Sequence, residues 1–287
     1  MAGGDRAGTP ELPVVVLPVA VDDGTLDACL AALDAGTPAG TRVWLADDAQ
    51  AGPRGLAIIE RWLERTPLRA EYTRRQRPLG EVAHLDEVLA ACGDADVIVL
   101  APDAVPGPGW AQQLAACAAR DGAIATATPW CNAGEGAAWP ECGEVSPRPD
   151  AAALARLARA AEGMPPMHPE LPAAVDHAVY LRGRARAKAG GLDAASYGSW
   201  YAALIDLSLR MAGLGWRNVL CETAFVARGG EGGPADGDLD ALAARWPAWH
   251  PRLAEFLMHD PVRGYRQAFS RRLAEVDPPS QHELFAP

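Results

Sequence analysis

Residues Val97–Trp110 read VIVLAPDAVPGPGW. A short, wholly apolar run with β-branched residues stops at Asp103 and gives way to a Pro/Gly turn and a tryptophan. Such a run reads as a strand buried on both faces, the mark of a sheet covered by helices on either side. In open α/β sheets, ligands lie beyond the carboxyl ends of these strands. Asp103 therefore stands where a ligand is expected.

Working outward, the pattern recurs. Leu12–Val21 (LPVVVLPVAV), Arg42–Ala46, Leu68–Thr73, Asp96–Ala101, Ala123–Thr128, Ala173–Leu181 and Asn218–Ala227 read as strands. A helix is expected over Asp22–Asp34, with Asp22 or Asp23 as N-cap and Leu26, Leu30 and Leu33 as its apolar stripe. Further helices are expected over Gly55–Glu64, Gly80–Cys92, Gly109–Ala119, Ala151–Gly163 and Leu204–Leu214. Residues 237–274 read as two helices split at His259-Asp260-Pro261. Strand–helix alternation with short links gives βαβ units and a doubly wound, mostly parallel α/β sheet with helices on both faces. Residues 1–11, rich in Gly, Pro and charge, read as a disordered lead-in. Residues 12–235 read as one domain with halves 12–129 and 130–235, and 236–287 as a C-terminal helical extension. The apolar residues Leu239, Leu242, Trp246, Leu253, Phe256 and Leu257 are expected to pack against the domain, with a homodimer contact as the alternative.

The totals exclude several classes. Of 287 residues, 49% are hydrophobic and 22% charged, an ordinary globular composition. A net charge of −11 argues against a nucleic-acid partner. The six cysteines form no CxxC pair, which argues against a zinc site and for unpaired thiols in a reducing compartment. The first residues lack the apolar core of a signal peptide, and no apolar run approaches the ~18 residues of a membrane span. A cytoplasmic protein with no transmembrane segment is the expectation. No GxGxxG follows the first strand, which excludes a dinucleotide oxidoreductase.

In one order, LPVAVDD, LADDAQ, RPLGEVAHLDEVLAACGDADVIVLAPDAVPGPGW, ATATPWCNAG, PAAVDHAVYLR and GGLDAASYGSWYAALIDLSLRMAGLGWRNVLCETAFVARGG resemble the family-two inverting glycosyltransferases. The likeness covers residues 12–235 and is nearest to bacterial enzymes that build surface polysaccharide. It implies the GT-A fold, a UDP- or dTDP-sugar donor, a glycan or polysaccharide hydroxyl as acceptor, and Mg²⁺ or Mn²⁺. It places Pro18, Val19 and Asp22, in the exit loop of the first strand, beside the nucleotide base. Asp47 and Asp48 would contact base and ribose, since a carboxylate accepts from a uracil or thymine N–H and from ribose hydroxyls; a strand-end turn with a helix cap is the alternative. Arg75, within the Arg74, Arg75 and Arg77 group, would neutralise diphosphate charge; a solvated basic turn is the alternative. Asp86 falls where relatives commonly carry asparagine. Asp103 matches the last acid of the metal motif, without companions because Ala101 and Pro102 precede it. A hard divalent cation bridging two phosphates can use a single carboxylate. Trp200 and Tyr201 are placed to contact a sugar ring, with core filling as the alternative.

Two departures from the family are larger. The positions of the general base, just before the later helix, hold Ala203 and Leu204, and neither can accept a proton. General-base help is worth about 100- to 10,000-fold. The remaining candidates are Asp206, which stands at i+4 from Arg210 and can pair with it instead, and His177, whose neighbour Asp176 would face the opposite side of a strand. The family's metal- or diphosphate-side histidine is replaced by Arg228, which cannot ligate a metal but can carry positive charge to a leaving phosphate. Two functions follow: a glycosyltransferase, or a non-catalytic homologue acting as a nucleotide-binding or assembly partner of a true transferase.

Overall fold

In the computed structural model, which describes residues 12–230 and 232–276, four parallel strands open the chain. They are β1 (Val14–Pro18), β2 (Arg42–Asp47), β3 (Arg69–Arg74) and β4 (Val97–Leu100). Helices α1 (Asp23–Gly36), α2 (Pro53–Leu63) and α3 (Glu81–Ala91) lie between them. There follow β5 (Ala104–Pro106), α4 (Trp110–Arg120), β6 (Ile124–Trp130), a 3₁₀ turn at Glu135–Ala137 and α5 (Ala151–Glu162). Next come β7 (Ala178–Leu181), α6 (Gly183–Ala189), α7 (Trp200–Gly213) and β8 (Arg217–Arg228). Helices α8 (Asp238–Arg245), α9 (Trp249–His259) and α10 (Arg263–Val276) close the described chain.

The eight strands form one sheet in the order β3-β2-β1-β4-β7-β6-β8-β5. β7 runs antiparallel to both its neighbours, β4 and β6, and so joins two halves that run in the same direction. β8 lies parallel to β6, and the short β5 is antiparallel to β8. Burial on both faces is visible residue by residue. Val15, Leu17, Ile98 and Leu100 belong to one core layer, and Val14, Val16, Val97 and Val99 to the layer on the opposite face. This is the alternation of successive side chains across a strand.

The C-terminal helices pack onto the same body. Phe269 of α10, fully buried, stacks on Trp130 at 5.8 Å between ring centroids and also meets Trp139 and Phe225. Arg266 is buried beside it, with its guanidinium over the Trp130 ring.

The elements differ from the sequence expectation in several places. The strand expected over Ala173–Leu181 starts only at Ala178, so Asp176 and His177 precede it. β5 and α6 were not expected. β5 has only three residues, and α6 (GRARAKA) has no apolar stripe; Arg186 anchors it instead, donating to the Leu89, Gly93 and Ala95 carbonyls. α7 starts at Trp200 rather than Leu204 because the Ser199 side chain caps it, accepting from the Ala202 N–H. Residues 237–274 hold three helices, not two. Besides the expected break at Asp260, Pro247 keeps Trp246 out of helical backbone (φ −125°, ψ 71°). The lead-in at 1–11 and the end of the extension at 277–287 lie outside the described residues. Among the described residues, no helix is long and apolar enough to cross a membrane.

Phe269→Ala should cost about 3–5 kcal/mol, the range for removing a large buried aromatic side chain. Urea denaturation followed by tryptophan fluorescence measures it. A cost near zero would show that α10 does not contribute to the cooperative unit.

Candidate functional site

The carboxyl ends of β1, β2 and β4 and the far end of β8 open on the same edge of the sheet. Asp103 sits in the turn between β4 and β5. Its Oδ1 accepts from Arg228 Nη2 at 3.0 Å, and its Oδ2 accepts from Arg228 Nε at 3.2 Å and from the Gly230 N–H at 3.0 Å. Arg228, the last residue of β8, is brought there because β5 pairs with β8, with Ala104 opposite Arg228. The third nitrogen of the guanidinium, Nη1, donates to Asp176 Oδ1 at 2.9 Å. The result is an Asp103–Arg228–Asp176 cluster, buried at Arg228 and Asp176 and part-exposed at Asp103, joining three segments of the chain. Gly232 lies over it: a Cβ there would fall 1.7 Å from Asp176 Oδ2. Only a residue without a side chain fits that approach.

The electrostatics follow from burial. Arg228 loses hydration, which pulls its pKa down, but Asp176 and Asp103 outweigh this and hold it above the usual arginine range. Burial raises the Asp176 carboxyl, and Arg228 opposes the rise without cancelling it. Its neighbour His177 is fully buried, and burial together with the Arg228 charge pushes it down to about 3. The His177 ring is therefore neutral near pH 7. Its Nε2 lies 3.1 Å from the Pro129 carbonyl, and its Nδ1 has no hydrogen-bond partner.

The nucleotide-side candidates are held in a frame of their own. Val19 is buried and donates to the Ala46 carbonyl, which fixes the exit of β1 beside Pro18. Asp22 caps α1, accepting from the Thr25 N–H at 2.7 Å, and that bond keeps its carboxyl below the usual range. Asp47 is fully buried: Oδ1 accepts from the Gln50 and Ala51 N–H groups, and Oδ2 from Tyr72 Oη and Arg74 Nη1. Asp48 accepts from two successive backbone donors, Leu79 N–H and Gly80 N–H, each at 2.8 Å. Arg75 pairs with Glu87 and lies 3.9 Å from Asp48. Asp86 accepts from the Leu192 N–H at 2.6 Å and so ties α3 to the loop after α6.

On the other side, Trp200 is buried and its Nε1 donates to the Asp176 carbonyl at 3.3 Å. Tyr201 Oη donates to Glu135 Oε1 at 2.5 Å. Asp206 is fully buried and bonded to Arg210 Nε at 2.8 Å, Trp246 Nε1 at 2.9 Å and Arg245 Nε at 3.1 Å. The i+4 pairing with Arg210 is the one its spacing allows. The chain thus brings together Asp103, Arg228, Trp200 and Tyr201, and leaves Asp206 and His177 fully buried.

Two acids entered the site without being singled out. Asp176 was weighed only as the neighbour of His177, and the pairing with Arg228 decides that it is Asp176 that turns toward the cluster. Glu135 lies in GEG, within the Gly/Pro-rich loop after β6. A carboxylate between two glycines is the local sign of a tight turn presenting a charge.

No protein-family model matches the chain, and no curated protein matches it in sequence. Solved structures do match. The crystal structure of GalNAc-T7 with UDP, GalNAc and Mn²⁺ aligns at a TM-score of 0.60 and 11% identity over 96% of this chain. This chain spans 57% of the length of GalNAc-T7 in that structure. The mannosyltransferase PcManGT from Pyrobaculum calidifontis, in complex with GDP-Man and Mn²⁺, aligns at 0.54 and 15% identity, covering 93% of this chain and 75% of its own. The fold is GT-A. At these identities the likeness is one of fold.

Both of those structures hold Mn²⁺. The residues here do not fit a divalent ion. Among the described residues no group of three His, Cys, Asp or Glu side chains is arranged to hold one. Both oxygens of Asp103 already accept from Arg228, which sits where a cation shared with Asp176 would have to lie.

Asp176→Asn tests the electrostatic reading. A carboxyl raised in the folded state contributes stability that is complete below its unfolded value and is lost as pH rises through the folded one. The amide mimics the protonated form and can still accept from Arg228. The variant should therefore melt at or above the wild-type temperature at pH 7. The difference should close as pH falls below 3.8, the ordinary aspartate value. Calorimetric melting across pH measures it.

Proposed function

We propose that the chain is a glycosyltransferase that moves a sugar from a UDP- or dTDP-sugar to a hydroxyl of a glycan, with inversion. The observation that supports this most is the Asp103–Arg228–Asp176 cluster at the carboxyl edge of a GT-A sheet, where ligands of open α/β sheets bind. A cytoplasmic setting accords with a nucleotide-sugar donor.

In this reading, the nucleoside enters between the Pro18–Asp22 exit and the Leu79-Gly80 turn. Asp47 and Asp48 act by holding these loops in place, and Arg75 and Asp86 brace α3 behind them. The diphosphate comes to lie by Arg228. Three of the five N–H groups of that guanidinium are spent on the two carboxylates. With both carboxylates ionised the cluster carries one net negative charge, so a second cation is needed for a diphosphate. Arg148, exposed, brings its Nη1 to 3.7 Å from where a Cβ of Gly229 would stand, at the mouth of the cluster. Trp200 and Tyr201 line the acceptor side. Catalysis rests on orientation and on charge stabilisation of the leaving diphosphate. Because the guanidinium takes the place of the ion, no step is assigned to a metal.

The second reading, a non-catalytic nucleotide-binding or assembly partner, is favoured by one observation: Ala203 and Leu204 stand at the expected base positions.

Isothermal titration with UDP and dTDP tests the donor site. Binding should be the same in EDTA as in Mn²⁺. Arg148→Ala should weaken it by about tenfold or more, the worth of a charged hydrogen bond of ~1.5–3 kcal/mol. Absence of binding by the unaltered protein would overturn the donor-site reading, and binding only with Mn²⁺ would overturn the role given to Arg228.

A further inference from the structure

Any transfer to a hydroxyl needs a group to take its proton. Asp103 and Asp176 are bonded to Arg228, and Asp206 to three donors behind α7. Glu135 is marked out by its backbone and by the turn that carries it. Its backbone is left-handed, with φ +44°, although glycines stand on both sides and would accept that conformation at no cost. Strain of this kind persists only where the surroundings over-determine it, and it gathers at functional sites.

The surroundings do over-determine it. The Glu135 carbonyl accepts from the Ala138 N–H at 3.1 Å and the Gly143 N–H at 3.0 Å. The buried Arg266 of α10 donates to the Gly136 carbonyl at 2.5 Å and the Ala138 carbonyl at 2.7 Å. The Phe256 ring of α9 lies 2.8 Å from where a Cβ of Gly136 would stand. Gly134 packs on Val175 and His177, which flank Asp176, so the turn is seated directly against the cluster. Helices α9 and α10 thus serve to hold one loop, and that loop presents one carboxylate. Tyr201 Oη, donating to Oε1, aims it.

We infer that Glu135 is the general base of the transfer, aimed by Tyr201. This rests on reading the chain as a glycosyltransferase. The acceptor O–H proton passes to the Glu135 carboxylate as the acceptor oxygen forms its bond to the anomeric carbon. The bond from that carbon to the diphosphate oxygen breaks, its electron pair leaving with the nucleoside diphosphate. The protonated carboxyl then loses its proton to water. Tyr201 is a positioning residue: its O–H bond favours the ionised carboxylate, and burial raises the phenol well above its ordinary value, so it stays a donor.

The titratable and charged groups around the turn include Tyr201 on α7, Asp176 and His177 before β7, Cys131 after β6, and Arg266 on α10 with its partner Asp260; α9 presents Phe256. Glu81, exposed at the start of α3 and within reach of the Trp200 backbone, is the competing acid on the rim.

The test measures UDP or dTDP release, with water as acceptor, from UDP-glucose, UDP-galactose, UDP-N-acetylglucosamine, dTDP-glucose and dTDP-rhamnose, alongside UDP affinity by calorimetry. Glu135→Gln should lower turnover by about 100- to 10,000-fold with UDP affinity unchanged. Tyr201→Phe, which keeps the ring, should move the acidic limb of the rate profile to higher pH, because the carboxylate loses the bond that favours its charged form. Wild-type turnover in Glu135→Gln, or loss confined to Glu81→Gln, would overturn the assignment. Nucleotide binding with no turnover of any donor by the unaltered protein would also overturn it and leave the binding-partner reading. No binding of UDP or dTDP at all would overturn the transferase reading itself.

Discussion

One guanidinium holds the carboxyl edge of the sheet together. Arg228 reaches Asp103 with two nitrogens and Asp176 with the third, and its own backbone is gripped by Asn132, whose Oδ1 accepts from the Arg228 N–H and whose Nδ2 donates to its carbonyl. Four segments of the chain therefore meet at one residue. A buried ion pair returns little net stability once desolvation is counted, but removing Arg228 would leave two carboxylates without their cation, at a cost of about 3–5 kcal/mol. The arrangement is hard to undo by single steps, and it decides what else the edge can do. It occupies the ground a divalent ion would need, and it withdraws two aspartates from proton transfer.

That withdrawal gives meaning to the C-terminal part of the chain. Trp130, Trp139 and Phe225 gather around Phe269, and Arg266 reaches through this cluster to the carbonyls of the Glu135 turn. The aromatic packing supplies rigidity, and the arginine transmits it to a single loop. Helix α10 thus has two tasks: Phe269 fills core volume, and Arg266 fixes the position of the loop.

The fold was legible because its strands are apolar runs of the right length and its helices carry stripes. The misses have local reasons. β5 is shorter than any periodicity can show, and α6 is anchored by a buried arginine instead of an apolar face. Pro247, a visible break, lies within a stretch whose apolar residues continue the helical spacing across it. At the site, Asp103 and Arg228 could each be named, but they lie 125 residues apart and nothing local says that they pair. The same holds for Asp47 and Asp206. A carboxylate's type is written in the sequence, whereas whether its lone pairs face a ligand or its own loop depends on donors brought in by the fold, such as Tyr72 and Arg74 for the first and Trp246 for the second. Glu135 is the converse case: its neighbours Gly134 and Gly136 advertise a turn, but its importance appears only once Tyr201 and Arg266 close on it.

The two bonds from Asp48 to Leu79 and Gly80 have a thermodynamic consequence. They fasten the loop after β2 to the start of α3, so the two segments are one body and not two flaps. A ligand seated against them would order little that was loose, and little of its contact energy would be diverted into conformational entropy. The converse is poor tolerance: segments that cannot part cannot make room for a bulkier ligand.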